Sequence, residues 1–237
     1  LLVRIKTSIP GTAKKLEYIP NFLLLTEFSG FSKFNPNRII FVGRFELRKG
    51  INLVLKVFIQ MAKVKKDINL YLIGKDTKSM RNGRKKLNIY QYINLLTNNH
   101  HIIKRIHILD HVNDRVKLIS KLKKMRGIAI LPSYYEPFGF VTIELMALRY
   151  LVICSNQGGG PDIITPKVDG FLSEPKKYSL LNNLDICLNF NEKDTNKLTE
   201  NAYKKISSQF SYKAVAKRYR LLYQGIVSIQ RDDKSRF

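Results

Sequence analysis

Apolar runs and helix-spaced segments alternate along this chain, and that alternation constrains its fold more than any other feature. "IIFVG" (39–43), "INLYLIG" (68–74), "IIKRIHIL" (102–109), "GIAILPS" (127–133) and "YLVICS" (150–155) read as buried strands. Strands covered on both faces show continuous apolar runs rather than alternation. Between them, "GINLVLKVFIQMAKV" sets Ile51, Val54, Leu55 and Phe58 at helical spacing, and "KLNIYQYINLLTNN", "DRVKLISKLKKM" and "FVTIELMAL" read as helices too. Strand and helix alternate five times, and "GFLSEP" (170–175) adds a last short strand. The pattern predicts an α/β fold: a doubly wound parallel sheet with helices on both faces and C-terminal helices after it. "NEKDTNKLTENAYKKISSQF" reads as one such helix, capped by Asp194 or Thr195, and "SYKAVAKRYRLLYQGIV" as a second, capped by Ser211. The expected organisation is a linker and the remnant of an N-terminal domain over 1–37, the doubly wound domain over 38–175, and a helical extension packed on it over 176–237. The first residues, "LLVRIKTSIPGTAKKLEYIP", read as the middle of a longer protein.

Composition narrows the function classes. Cys154 and Cys187 sit in apolar stretches and read as buried, reduced thiols, which points to a cytoplasmic setting. His100, His101, His107 and His111 have no zinc-site spacing, so no metal is expected. No apolar run is long enough for a membrane span. The net charge of +24 is the footprint of a polyanion or anionic-membrane binder. The cations are spread along the chain, however, and the densest runs, "GRKK" and "KLKKMR", are short. A solvated basic surface explains them first, and a real polyanion site, for nucleic acid or a membrane surface, second. Aromatics are not interleaved with the basic runs, which speaks against nucleic acid.

In doubly wound sheets ligands bind beyond the carboxyl ends of the strands. The five segments there are "GRFELRKG", "GKDTKSMRNG", "DHVND", "YYEPFGF" and "NQGGGPD", all polar or glycine-bearing. In the first, Gly43 ends a strand, Arg44 and Lys49 stand five apart, and Gly50 opens a helix. Two cations beside a helix N-terminus suit a diphosphate. In the fourth, Pro137 holds Glu136 extended, Gly139 permits close backbone approach, and Glu144 lies about one turn, roughly 7 Å, into the following helix. Two carboxylates so placed can accept hydroxyls from different parts of one extended ligand, such as a nucleotide sugar. Spacing alone leaves open a loop charge at Glu136 and a surface residue at Glu144. A two-carboxylate glycosidase would explain the carboxylates but not the phosphate-friendly loops. In "NQGGGPD" three glycines precede Pro161, and with Asp162 the segment can pass beside a sugar or phosphate, or be a plain connection.

Taken together and in this order, these segments resemble the C-terminal, donor-binding half of family 4 glycosyltransferases, retaining GT-B enzymes related to sucrose synthase and sucrose-phosphate synthase. "YIPNF" is similar to the interdomain segment, "IIFVGRFELRKGINLVLKVF" to the phosphate loop, and "GIAILPSYYEPFGFVTIELMAL" carries the Glu-x7-Glu motif. "NQGGGPDIITPKVDGFLSEP" resembles the glycine-rich loop, and "FSYKAVAKRYRLLY" the C-terminal helix. The resemblance implies a nucleotide-sugar donor, UDP-linked most commonly and otherwise GDP- or ADP-linked, and an acceptor glycan or glycolipid. It implies catalytic roles for Arg44 and Lys49 on the diphosphate and for Glu136 at the donor sugar. Gly43 would line the phosphate loop, Phe138 and Gly139 would present backbone N–H groups, and Glu144 would bind the ribose. The base would rest along "ILDHV" (108–112), with Val112 at its end, where Asp110 departs from the family's usual glycine. Outside residues 1–37 the acceptor-binding N-terminal GT-B domain is not in this sequence, so the chain is expected to need it as a partner; the alternative is a non-catalytic nucleotide-sugar-binding module. The exposed cleft face and the C-terminal helix would otherwise lack their packing.

Overall fold

The computed structural model describes residues 17–109 and 112–234, apart from the side chains of Asn82 and of 225–234. Asp110 and His111 lie outside the described residues. The central sheet has six parallel strands: β1 (Arg38–Val42), β2 (Asn69–Ile73), β5 (Ile106–Leu109), β6 (Ile128–Leu131), β7 (Leu151–Ser155) and β8 (Phe171–Ser173). They lie in the order β5-β2-β1-β6-β7-β8, with Ile39 opposite Leu70 on one side and Ile128 on the other. The order reverses direction between β1 and β6, which is where such sheets open a crevice. A separate antiparallel hairpin joins β3 (Met80–Asn82) to β4 (Lys85–Leu87).

The apolar runs are continuous because both sheet faces are covered. Along β1, Ile39 and Phe41 enter one core and Ile40 and Val42 the other. The first core is closed by α1 (Ile51–Val64), α2 (Ile89–Leu96), α3 (His100–Ile103) and α7 (Lys177–Leu188). The second is closed by α4 (Arg115–Lys123), α5 (Phe140–Ala147), α6 (Gly160–Ile163) and α8 (Glu192–Lys205). A π-helical turn over Ile206–Phe210 leads to α9 (Tyr212–Lys234). Val54, Leu55 and Phe58 of α1 are fully buried; truncating Phe58 to alanine would cost about 3–5 kcal/mol. Both cysteines are free and buried. Burial pushes the Cys154 thiol up to about 12, with Asp169 adding to the shift, and raises Cys187 as well.

Three local readings of the sequence need correction, and one helix was missed. "IIKRIHIL" is not one strand: Asn99 accepts hydrogen bonds from the His101 and Ile102 N–H groups, caps α3, and delays the strand to Ile106. The helix expected from Lys86 begins at Ile89, because Lys85–Leu87 pairs in the hairpin and Asn88 with Gln91 forms a capping box. Asn191 caps α8, accepting from the Asp194 N–H; Asp194 and Thr195 lie inside the helix, and Thr195 is buried. α7 has no clear apolar stripe and was not legible. Ser211 does cap α9, accepting from the Ala214 N–H at 3.2 Å.

The segment ahead of the sheet lies on the domain. Its 3-10 turn (Leu25–Phe28) buries Phe28 in the second core. Leu23 pairs in parallel with Ser211: its N–H donates to the Phe210 carbonyl at 2.8 Å, and the Tyr212 N–H donates to the Leu23 carbonyl at 3.0 Å. No helix among the described residues is long and apolar enough to cross a membrane.

Candidate active site

The carboxyl ends of β1, β6 and β7 enclose a cavity of about 250 Å³. Val42, Leu131 and Cys154 form its apolar wall, and Lys49, Ser133, Glu136 and Ser155 its polar one. Lys49 arrives on a 3-10 turn (Leu47–Lys49) between β1 and α1. Glu136 arrives from the loop after β6, and the Lys49 ammonium pairs with its carboxylate across 87 residues of sequence. Both side chains keep some solvent access, at 21% and 28%. An ammonium and a carboxylate at the mouth of a small cavity give a site with one exchangeable cation and one exchangeable acceptor.

Beside them α5 begins at Gly139, whose φ of 105° is open to glycine, and among the described residues no side chain caps the helix there. Phe140, Val141 and Thr142 of its first turn line the cavity. First-turn N–H groups have no partner within their helix, so this end favours an anion or a hydrogen-bond acceptor. The glycine-rich loop has a structural task. A Cβ on Gly158 would lie 2.0 Å from the Glu136 carbonyl oxygen, at a φ of 89°. A Cβ on Gly159 would lie 2.2 Å from that of Phe138. The Gly159 N–H donates to the Glu136 carbonyl at 2.8 Å, so this loop is the backrest of the Glu136 loop. Gly160 also borders the cavity.

The other expected site residues are placed differently. Gly43 continues the sheet, donating to the Ile73 carbonyl at 3.0 Å. Arg44 stands outside the cavity, 57% exposed, with its guanidinium 3.2 Å from Glu46. Phe138 is half-buried, its ring edge-on to Phe140 at 5.0 Å. Val112 is half-buried after β5 and does not line the cavity. Glu144, on α5, does not line it either. Its carboxylate is 3.2 Å from Arg115 Nε, and Arg115 Nη1 reaches Glu27 at 2.5 Å. Burial raises the Glu144 carboxyl above its ordinary range; Arg115 opposes that shift and Glu27 adds to it.

Sequence reasoning missed Glu46, Arg48 and Arg115. Glu46 takes both Arg44 and Arg48, and Arg48 also donates to the Tyr135 carbonyl at 3.2 Å, tying the first loop to the fourth. "GRFELRKG" contained the Glu46–Arg48 signal at a spacing of two; nothing local marked Arg115. Among the described residues no three His, Cys, Asp or Glu side chains gather as a metal site would need.

Residues 26–205 match the family model described as "Glycosyl transferases group 1". The chain belongs to that family. An uncharacterized glycosyltransferase of Methanocaldococcus jannaschii is 33% identical over 138 residues, 58% of this chain and 32% of that protein. The structure of sucrose-phosphate synthase from Thermosynechococcus elongatus superposes with a TM-score of 0.71 at 25% identity, over 90% of this chain and 53% of that one. Anabaena HepE, solved in complex with UDP-glucose, gives 0.67 at 17% identity over 92% of this chain and 59% of that one, a likeness of fold. The solved neighbours are GT-B glycosyltransferases, and this chain has the Rossmann-like sheet of one of their domains. It spans about a third of the first relative and about half of the sucrose-phosphate synthase.

Proposed function

We propose that this chain is the donor-binding half of a retaining, family 4 glycosyltransferase that transfers a sugar from a nucleotide to a glycan or lipid-linked acceptor. One observation carries the reading: Lys49 and Glu136 meet in a cavity at the strand ends, beside an uncapped helix N-terminus. The diphosphate takes Lys49 and, from the rim, Arg44. Positive charge there stabilises the departing nucleotide diphosphate, an electrostatic contribution to the reaction. Glu136, released from Lys49, accepts hydroxyls of the donor sugar, while Phe138 and Gly139 offer backbone N–H groups. Glu144 binds the ribose, and the base rests toward Val112. Residues 38–175 are the nucleotide-sugar domain, 176–237 the helical extension packed on it, and 1–37 the linker from an N-terminal domain that supplies the acceptor site. UDP-sugar is the first donor to test, since UDP-glucose occupies HepE, a protein of like fold. The two free, buried thiols fit a cytoplasmic protein.

Calorimetry tests the donor site. UDP, GDP and ADP, with their glucose forms, are titrated into the folded chain at physiological salt. One nucleotide saturates, and its binding is weakened about tenfold in Lys49→Ala and in Glu144→Ala. No binding of any nucleotide sinks the reading. A second reading, a basic surface for anionic membranes, draws on the hairpin and the loop before it: Lys75, Lys78, Arg81, Arg84, Lys85 and Lys86 are exposed. That reading predicts vesicle binding that falls steeply with salt.

A further inference from the structure

The geometry points to Arg115 as a positioning residue for the ribose carboxylate, one that also makes that carboxylate answer to the segment ahead of the sheet. This rests on the reading of Glu144 given above. Glu144 is 17% exposed, so its carboxylate needs a partner. Among the described residues the only hydrogen bond to it comes from Arg115 Nε, to Oε1 at 3.2 Å. Among the described residues no donor meets Oε2, which leaves it for a ligand hydroxyl. Arg115 is fixed from the other side as well. Its Nη1 meets Glu27 Oε2 at 2.5 Å, and its guanidinium carbon lies 5.9 Å from the centre of the Phe28 ring. Glu27 and Phe28 belong to the 3-10 turn at 25–28, Arg115 to α4 and Glu144 to α5. One guanidinium therefore spans three elements. A shift of the turn moves Arg115, and with it the aim of the carboxylate.

The chemistry gives a readout that packing alone would not move. An ionised carboxylate accepts on both oxygens; a protonated one gives up an acceptor for a donor. Among the described residues, the charged groups facing Glu144 are Arg115 from α4 and Glu27 from the turn. Burial and Glu27 both favour protonation, and Arg115 opposes them. Without Arg115, Glu144 takes up its proton at higher pH, so ribose binding should weaken as pH falls.

The test compares the saturating nucleotide of UDP, GDP or ADP with its 2′-deoxy form, by calorimetry between pH 5.5 and 8.5. Wild type should prefer the ribonucleotide by about tenfold, the worth of a hydrogen bond to a charged group, with little change across this range. Glu144→Gln should lose that preference at every pH. Arg115→Ala should lose it at pH 5.5 and regain part of it at pH 8.5. Arg115→Lys, which keeps the charge, should restore the flat profile, while Arg115→Gln, which keeps the bulk without the charge, should show the alanine profile and carries the test if the alanine variant fails to fold. A folded Arg115→Ala with wild-type preference and a flat profile overturns the inference while Glu144 keeps its role. An unchanged preference in Glu144→Gln overturns both.

Discussion

The two ends of the sheet use arginine and lysine in opposite ways. At the amino ends of the strands, Arg126 and Arg105 spend their donors on backbone carbonyls. Arg126, just before β6, donates to the Ser32 carbonyl at 2.8 Å and the Arg149 carbonyl at 2.9 Å, and lies 4.6 Å from the centre of the Phe31 ring. Burial lowers its pKa, and the neighbouring Arg149 lowers it further. Arg105, before β5, gives Nη bonds to the carbonyls of Ala62, Lys65 and Lys66 at the end of α1. At the carboxyl ends, Lys49 and Arg44 meet carboxylates and remain open to solvent. A cation whose donors are consumed by carbonyls and rings holds the fold. One held by an exchangeable carboxylate can change partners. Side-chain type does not distinguish these uses; the count of fixed partners does.

The largest expected effect lies at the carboxyl ends and touches both stability and binding. Gly158→Ala should cost about 3 kcal/mol in urea unfolding, because it combines a positive φ with a carbonyl 2.0 Å from the new Cβ, and nucleotide-sugar binding should fall with it. Arg126→Ala should cost about 2 kcal/mol by the same measurement and leave nucleotide affinity of the folded protein unchanged. A loss of affinity there would break the comparison. Lys49→Ala should do the reverse. It should weaken nucleoside diphosphate binding about tenfold in calorimetry, while stability changes by less than about 1 kcal/mol, as for partly exposed ion pairs. Glu136→Gln sharpens the point: freeing Lys49 should leave diphosphate binding equal or tighter and weaken only the contribution of the donor sugar. The smallest effect is in pH. The folded state holds the Glu144 proton more tightly than the unfolded chain does. Stability should therefore decline as pH rises from the unfolded carboxyl pKa, about 4.3, through the raised folded one. Glu144→Gln should remove that decline from a set of urea melts.

The sheet was legible because burial on both faces writes each strand as an unbroken apolar run, as in "IIFVG" and "GIAIL". The Glu136 loop and the start of α5 were legible from Pro137 and Gly139. The hairpin was not taken from Asn82-Gly83, although that dipeptide is a strong turn signal, because the runs beside it are basic rather than alternating. α7 was lost because Lys177–Leu188 mixes asparagine, serine and leucine without a stripe. The site was half legible. Individual residues carried their chemistry, but the pairing of Lys49 with Glu136 joins segments far apart in sequence. So does the bridge of Arg115 to Glu27 and Glu144. No local pattern encodes either.

The bridge between Leu23 and Ser211 has a mechanical consequence. The two segments run parallel, so chain ahead of Leu23 leaves in one direction and chain beyond Ser211 in the other. Tension applied across the two ends would load the bonds to Phe210 and Tyr212 together, in shear, instead of opening them one at a time. The edge contact of Phe22 on Tyr212, at 5.3 Å, shares that load. Under force the two bonds should give way together rather than in sequence.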